Sequence, residues 1–188
     1  GCWFKSSRWL CMNRYLVNIP ENKVGDYDVA HDGDITVLRL NGNVIMADNE
    51  LEYHTHQHFL PNAHGHILSA GLGLGMIHAP LIENKNFKSI TIIEKSQEVI
   101  DLVWDHCPKD ERFTIVHSDI YDYEPTQKFD IGWFDSWIGD PPGTHLGSEN
   151  SPFYSETYER DMKERFEKHC EQLYFWRAHR RWKRIGRG

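Results

Sequence analysis

Apolar and polar residues alternate through "DITVLRLNGNVIMAD", residues 34–48, with Asn41-Gly42 at the centre. A period of two marks strands, and Asn-Gly tolerates positive φ at both central positions of a tight turn. The pattern therefore predicts a β-hairpin over 34–47. Asn49 followed three residues later by Glu52 is a capping signal; it predicts a helix that runs to about 60 and stops at Pro61. "HILSAGLGLGM" reads as a buried strand ending in a glycine loop, then a helix from Met76 or Ile77 that Pro80 shortens. Three more apolar runs, "SITIIE", "FTIVHSD" and "FDIGWFD", read as strands. Between the first two, "SQEVIDLVWDHC" is a helix with Val99, Ile100, Val103 and Trp104 on one face. From about 156 to 180, Tyr158, Met162, Phe166, Cys170, Leu173 and Trp176 recur every three or four residues and predict one long amphipathic helix.

Strands alternating with helices give an α/β, three-layer sandwich with a mostly parallel sheet, whose ligands sit at the carboxyl ends of the strands. The chain of 188 residues is one domain's worth. It divides into an irregular arm over 1–30, with Trp3, Phe4, Trp9 and Tyr15 as anchors, and a single domain over 31–188. Within that domain lie the hairpin (31–48), a ligand-binding core (64–145) and a C-terminal helix with a basic tail (151–188).

Composition narrows the class. A content of 39% hydrophobic and 26% charged residues is globular, and no stretch approaches the 18 apolar residues of a membrane span. With no leader-like start, the expectation is a cytoplasmic protein without a membrane partner. Cys2, Cys11, Cys107 and Cys170 are scattered without a C-x-x-C pair and read as free thiols. The net charge of −7 argues against general nucleic-acid coating. The tail "RAHRRWKRIGRG" nevertheless carries six cations and no acid, suited to touching phosphate or folding back on the acidic body.

"HTHQHFLPNAHGH", residues 54–66, holds five of the twelve histidines. On a strand, His54, His56 and His58 would share a face and suit zinc. On a helix only His54 and His58 share a side, because residues two apart point away from each other. With a helix predicted and no later ligand pair at fixed spacing, the segment reads as a polar helix face and no metal is assigned.

The glycine loop points elsewhere. Gly71, Gly73 and Gly75 follow an apolar strand directly, where glycines permit a sharp turn and close approach of a ligand. Glu94 ends the next strand, where an acid accepts both ribose hydroxyls of a nucleotide. Asp119 ends the third, in position for an adenine amine, and Asp135 ends the fourth. A dinucleotide loop would place a third glycine where Met76 stands, so an adenosyl ligand without pyrophosphate, S-adenosylmethionine, fits better.

Over residues 35–166 the chain resembles the spermidine synthase family, within the class I S-adenosylmethionine-dependent methyltransferase superfamily, whose fold is Rossmann-like. "LRLNGNVIMADNELEYH" is similar to the family's hairpin and its D-E-x-x-Y-H-E continuation. "ILSAGLGLGM" lies on its G-G-G-D-G-G loop, and "TIIEKSQEVIDLV" on V-E-I-D-x-x-V-I. "FDIGWFDSWIGDPPG" resembles Y-D-V-I-x-x-D-S-S-D-P. The resemblance implies cofactor binding by Gly71, Gly73, Gly75, Glu94, Asp119, Ile120, Asp135 and Ser136. It also implies a catalytic Asp135, with Tyr53, His54 and Asp140 on the acceptor side. The cofactor implied is S-adenosylmethionine or its decarboxylated form.

Three polar groups that grip a polyamine are replaced. Leu74 stands for the loop aspartate and Thr55 for the glutamate after Tyr-His, while Val44, Ile45 and Met46 occupy the neighbourhood of a hairpin glutamine. Methyl transfer to a small-molecule acceptor is therefore expected ahead of aminopropyl transfer. Two further readings are a non-catalytic binding or assembly module and a nucleic-acid amino-methyltransferase. The latter is suggested by "DPPG" at 140–143, where Gly143 takes the place of a stacking aromatic. Family members continue past the long helix with more strands. A sheet shortened at that end would expose its fourth strand, so a homo-oligomer is expected.

Overall fold

The computed structural model describes residues 16–136 and 156–176. Four strands, β1 (Asn22–Val24), β2 (Tyr27–Asp32), β3 (Ile35–Leu40) and β4 (Asn43–Ala47), form an antiparallel sheet in that order. The β3–β4 turn has φ of 51° at Asn41 and 77° at Gly42, as the Asn-Gly dipeptide requires. Residues 22–32 are thus strands rather than an irregular arm. Asn22, Lys23, His31 and Asp32 are exposed and only Val29 is buried among them, too thin an apolar signal for periodicity to register. Anchors Trp3, Phe4, Trp9 and Tyr15 lie outside the described residues.

Asp48, fully buried, accepts the Val17 and Thr36 amides at 2.8 and 2.6 Å and ties the start of the described chain to the hairpin. Next to it, Asn49 accepts the Glu52 amide at 2.9 Å and caps α1 (Glu50–His56). The helix ends at His56, not near 60, and Pro61 sits inside a following 3-10 turn, Leu60–Asn62. Asn49→Ala is expected to lower stability by about 1 kcal/mol, read as a fall in the urea midpoint.

The remaining elements are β5 (Gly65–Ala70), α2 (His78–Glu83), β6 (Phe87–Glu94), α3 (Gln97–Val103), β7 (Phe113–His117), β8 (Phe129–Phe134), α4 (Glu156–Phe166) and β9 (Cys170–Phe175). The five strands pair in the order β7-β6-β5-β8-β9, all parallel. Ile67, Ile90, Ile92, Ile131 and Trp133 pack to one side with Leu81 of α2, with Val99, Leu102 and Val103 of α3, and with Val29 and Leu38 of the small sheet. Leu68, Ala70, Ile93 and Phe134 pack to the other with Met162 and Phe166 of α4. Covering both faces is why these strands read as nearly continuous apolar runs. The result is a Rossmann-like sandwich with a parallel five-stranded sheet, preceded by an antiparallel sheet.

Of the segment expected as one long helix over 156–180, the described part, 156–176, is a helix that stops at Phe166 and a strand, β9, that follows after three residues. β9 pairs in parallel with β8 from Phe129↔Cys170 to Phe134↔Phe175. The fourth strand is therefore not an edge, which removes the premise for self-association through it. Among the described residues no helix is long and apolar enough to cross a membrane.

Candidate functional site

Chain direction reverses between β5 and β8: β5, β6 and β7 step one way, and β8 returns to the other flank of β5. Ligands of doubly wound sheets occupy the crevice at such a switch point. Backbone hydrogen bonds hold the strand ends side by side there. Gly71 N donates to Ile93 O at 2.8 Å, Ser118 N to Glu94 O at 3.0 Å, and Asp135 N to Ala70 O at 3.0 Å. Asp119, Glu94, Gly71 and Asp135 are thereby lined along one edge.

Gly71 leaves β5 with φ 94°, and a Cβ built there would lie 2.4 Å from the carbonyl oxygen of Asp135. No side chain fits that position. The Glu94 carboxylate accepts the Leu72 amide at 2.8 Å through Oε2 and the Ser96 amide at 2.9 Å through Oε1. It fastens the loop and keeps lone pairs for further donors. Asp119 accepts the Tyr121 amide at 3.0 Å and pairs with Lys95 at 2.7 Å. The Lys95 ammonium, chiefly, holds its pKa below the ordinary carboxylate value. Lys95 is largely exposed, so the pair is weak and open to exchange for a ligand's donor.

Gly73 and Gly75 pack the loop inward. Added Cβ atoms would meet Met46 Sδ and Cys107 Sγ, at 2.4 and 2.2 Å. Met46, on β4, also accepts the Leu74 amide at 3.2 Å, so the hairpin closes over the loop. Ile120 is buried in the core cluster beneath α4, and Ser136 hydrogen-bonds through its hydroxyl to Tyr158 of that helix.

The acceptor-side residues do not all gather. Tyr53 is partly buried against the core, whereas His54 is exposed and pairs with Glu50 at 3.5 Å. Asp140 and the D-P-P-G sequence lie outside the described residues. The histidine that turns inward is His56, 1% exposed, with Nε2 at 3.6 Å from Asp135 Oδ2 and 3.8 Å from Glu52 Oε1. Sequence reasoning used Glu52 only as a capping signal and assigned His56 no site role. The available signal was the stripe Tyr53, His56, Phe59, spaced by three, which places His56 on the core side of α1 with Glu52 one turn back.

The far end of β9 completes this corner. Trp176 Nε1 donates to Glu52 Oε1 at 2.9 Å, and His58 places its two ring nitrogens 2.7 and 2.9 Å from the carbonyl oxygens of Thr55 and Phe175. Burial pushes the Asp135 carboxyl up to about 8. Burial, then the Asp135 charge, pushes Glu52 up to about 7. Burial also lowers the pKa of His56, against the pull of Glu52, and keeps the ring neutral. At neutral pH the Asp135 carboxyl thus holds its proton, Glu52 is near its midpoint, and the His56 ring is neutral.

No family model and no curated protein matches the sequence. Among solved structures the chain is similar to spermidine synthase from Thermotoga maritima, at 18% identity and TM-score 0.45, over 62% of this chain and 47% of that one. It is similar to a candidate RNA methyltransferase from Pyrococcus horikoshii, at 16% identity and TM-score 0.42, over 67% and 55%. A candidate S-adenosylmethionine-dependent methyltransferase from Streptococcus mutans is 16% identical with TM-score 0.45, over 79% and 40%. The chain spans about half the length of these structures, and likeness this distant says nothing about ligand or reaction.

Proposed function

We propose that this chain binds S-adenosylmethionine, or its decarboxylated form, in the crevice at the β5–β8 switch point and transfers a methyl group from it to a small-molecule acceptor. The observation that carries this reading is the alignment of Gly71, Glu94, Asp119 and Asp135 at four adjacent strand ends. Gly71 gives a ligand close access to the backbone. Glu94, already oriented by two loop amides, accepts from the ribose hydroxyls, and Asp119 accepts from the adenine amine once Lys95 yields. Ile120 supplies apolar backing and Ser136 continues the wall.

In the transfer, a lone pair on the acceptor attacks the methyl carbon while the carbon–sulfur bond breaks. The sulfonium leaves as a neutral thioether, and the acceptor's proton departs to solvent, or to Asp135 in its ionised form. Little beyond alignment of nucleophile, methyl and sulfur is required. That suits a chain in which Leu74, Thr55 and Met46 replace the polar groups of a polyamine site.

Calorimetry with the two nucleosides tests the reading. S-adenosylmethionine is expected to bind with one site per chain. Hydrogen bonds to a charged group are worth about 1.5–3 kcal/mol, so Glu94→Gln should weaken binding roughly tenfold or more. Tighter binding of the decarboxylated form would assign aminopropyl transfer instead, and failure of both to bind at millimolar concentration would refute the proposal.

A further inference from the structure

We propose that Glu52, His56 and Asp135 form a divalent-metal site at the carboxyl end of β8. Glu52 and His56 stand four residues apart on α1 and project from one face of it. Asp135 is brought opposite them by the hydrogen bond between its amide and Ala70. One ligating atom of each lies within 4.8 Å of the other two.

His56 makes this more than a pair of acids. It is buried to 1% exposure and aims Nε2 between the two carboxylates, at 3.8 and 3.6 Å. Those separations exceed the roughly 2.9–3.0 Å of an N–H···O hydrogen bond, so the ring does not satisfy the acids directly. Its Nδ1 has no hydrogen-bond partner among the described residues, so Nε2 is the nitrogen offered to the cluster. Among the described residues no lysine or arginine lies within ion-pair distance of Glu52 or Asp135. Two largely buried acids facing an imidazole with no counter-charge, of which only Glu52 receives side-chain hydrogen bonds, are costly to maintain for structure alone.

The spacing suits an ion held between them. Ligands about 2.1 Å from a tetrahedral metal lie about 3.4 Å apart, and small side-chain rotations close the remaining gap. One neutral imidazole, two carboxylates and no thiolate favour Mn²⁺, Fe²⁺ or Zn²⁺. Trp176 Nε1 and Thr55 Oγ1, at 2.9 and 3.3 Å, fix the Glu52 carboxylate, and the Trp133 ring meets His56 edge-on at 5.7 Å between centroids. Such supporting contacts orient metal ligands.

The site's use rests on the transferase reading above. An ion beside Gly71 would bind an acceptor hydroxyl and lower its pKa, supplying an oxygen nucleophile at neutral pH. The acceptor class is then a phenol or alcohol rather than an amine.

The test is calorimetric titration of tag-free, chelator-stripped protein with Mn²⁺ and with Zn²⁺, without nucleoside. One ion per chain is expected, weakened at least tenfold in Glu52→Gln and in Asp135→Asn and unchanged in Glu50→Gln, which alters the exposed face of α1. His56→Gln, with folding checked by circular dichroism, serves if either carboxylate variant fails to fold. The metal should raise the melting temperature of the wild type and of Glu50→Gln only. Absence of saturable binding, or binding that survives the carboxylate substitutions, overturns the proposal. Nucleoside binding to the chelated protein is measured separately, so the two readings fail independently.

Discussion

Asp135→Asn is expected to make the metal-free protein more stable than wild type at pH 8.5, and no more stable at pH 5. Burial raises the folded-state pKa of Asp135 from 3.8 to about 8, and burial with the Asp135 charge raises Glu52 from 4.5 to about 7. Between those limits the folded protein holds more protons than the unfolded chain, so stability falls as pH rises. It is full below the unfolded values, falls progressively above them, and is wholly lost once pH has passed 7 for Glu52 and 8 for Asp135. A difference of one in pKa between the folded and unfolded states is worth about 1.4 kcal/mol. The Asp135 side chain is 20% exposed, and water reaching it reduces the effect, to about 3 kcal/mol for this residue. Asparagine cannot ionise and removes the penalty. Urea denaturation at pH 5, 7 and 8.5 with chelator present measures this, and a wild-type profile flat across that range would refute it. Added divalent metal should reverse the ranking, since two ionised carboxylates then face a cation.

Gly71→Ala is expected to lose about 3 kcal/mol or more of stability together with nucleoside binding. The residue sits at φ 94°, where an L side chain is strained, and the new Cβ would press to 2.4 Å on the backbone oxygen of Asp135. Relief requires parting the ends of β5 and β8, which moves the loop and the acid together. By contrast, Gly42→Ala, also at positive φ but with nothing within 4 Å of the added Cβ, should cost stability alone. Comparing the two variants by urea denaturation and nucleoside calorimetry separates turn strain from damage to the site. Equal nucleoside affinity in both would show that the strand-end contact does not matter for binding.

The elements legible in the sequence were those whose local chemistry agrees with their final environment. Asn41-Gly42 dictated its turn, Asn49 capped the helix it precedes, and the apolar runs became the buried parallel strands. Residues 156–176 misled because Cys170 and Leu173 continue the three-to-four spacing of α4 by coincidence. Pairing with β8, a partner some forty residues earlier, decides the conformation there. At the site, strand-end acids could be placed because their positions follow from topology. Glu52 and His56 could not, since their meeting with Asp135 depends on how α1 docks against β8, and helical spacing alone does not report that angle. Treating the histidines as a group drew attention to His54 and His58, whereas the ring that reaches the acids belongs to the core-facing stripe.

The anchorage of α1 by Trp176, and of His58 just past it by Phe175, has a bearing on biosynthesis. Those bonds span 117 and 124 residues of chain. On a translating ribosome the acid-bearing helix emerges long before the segment that steadies it. Until that later stretch arrives, Glu52 lacks its indole donor, and the nascent polypeptide carries the helix without the bond that fixes its acid.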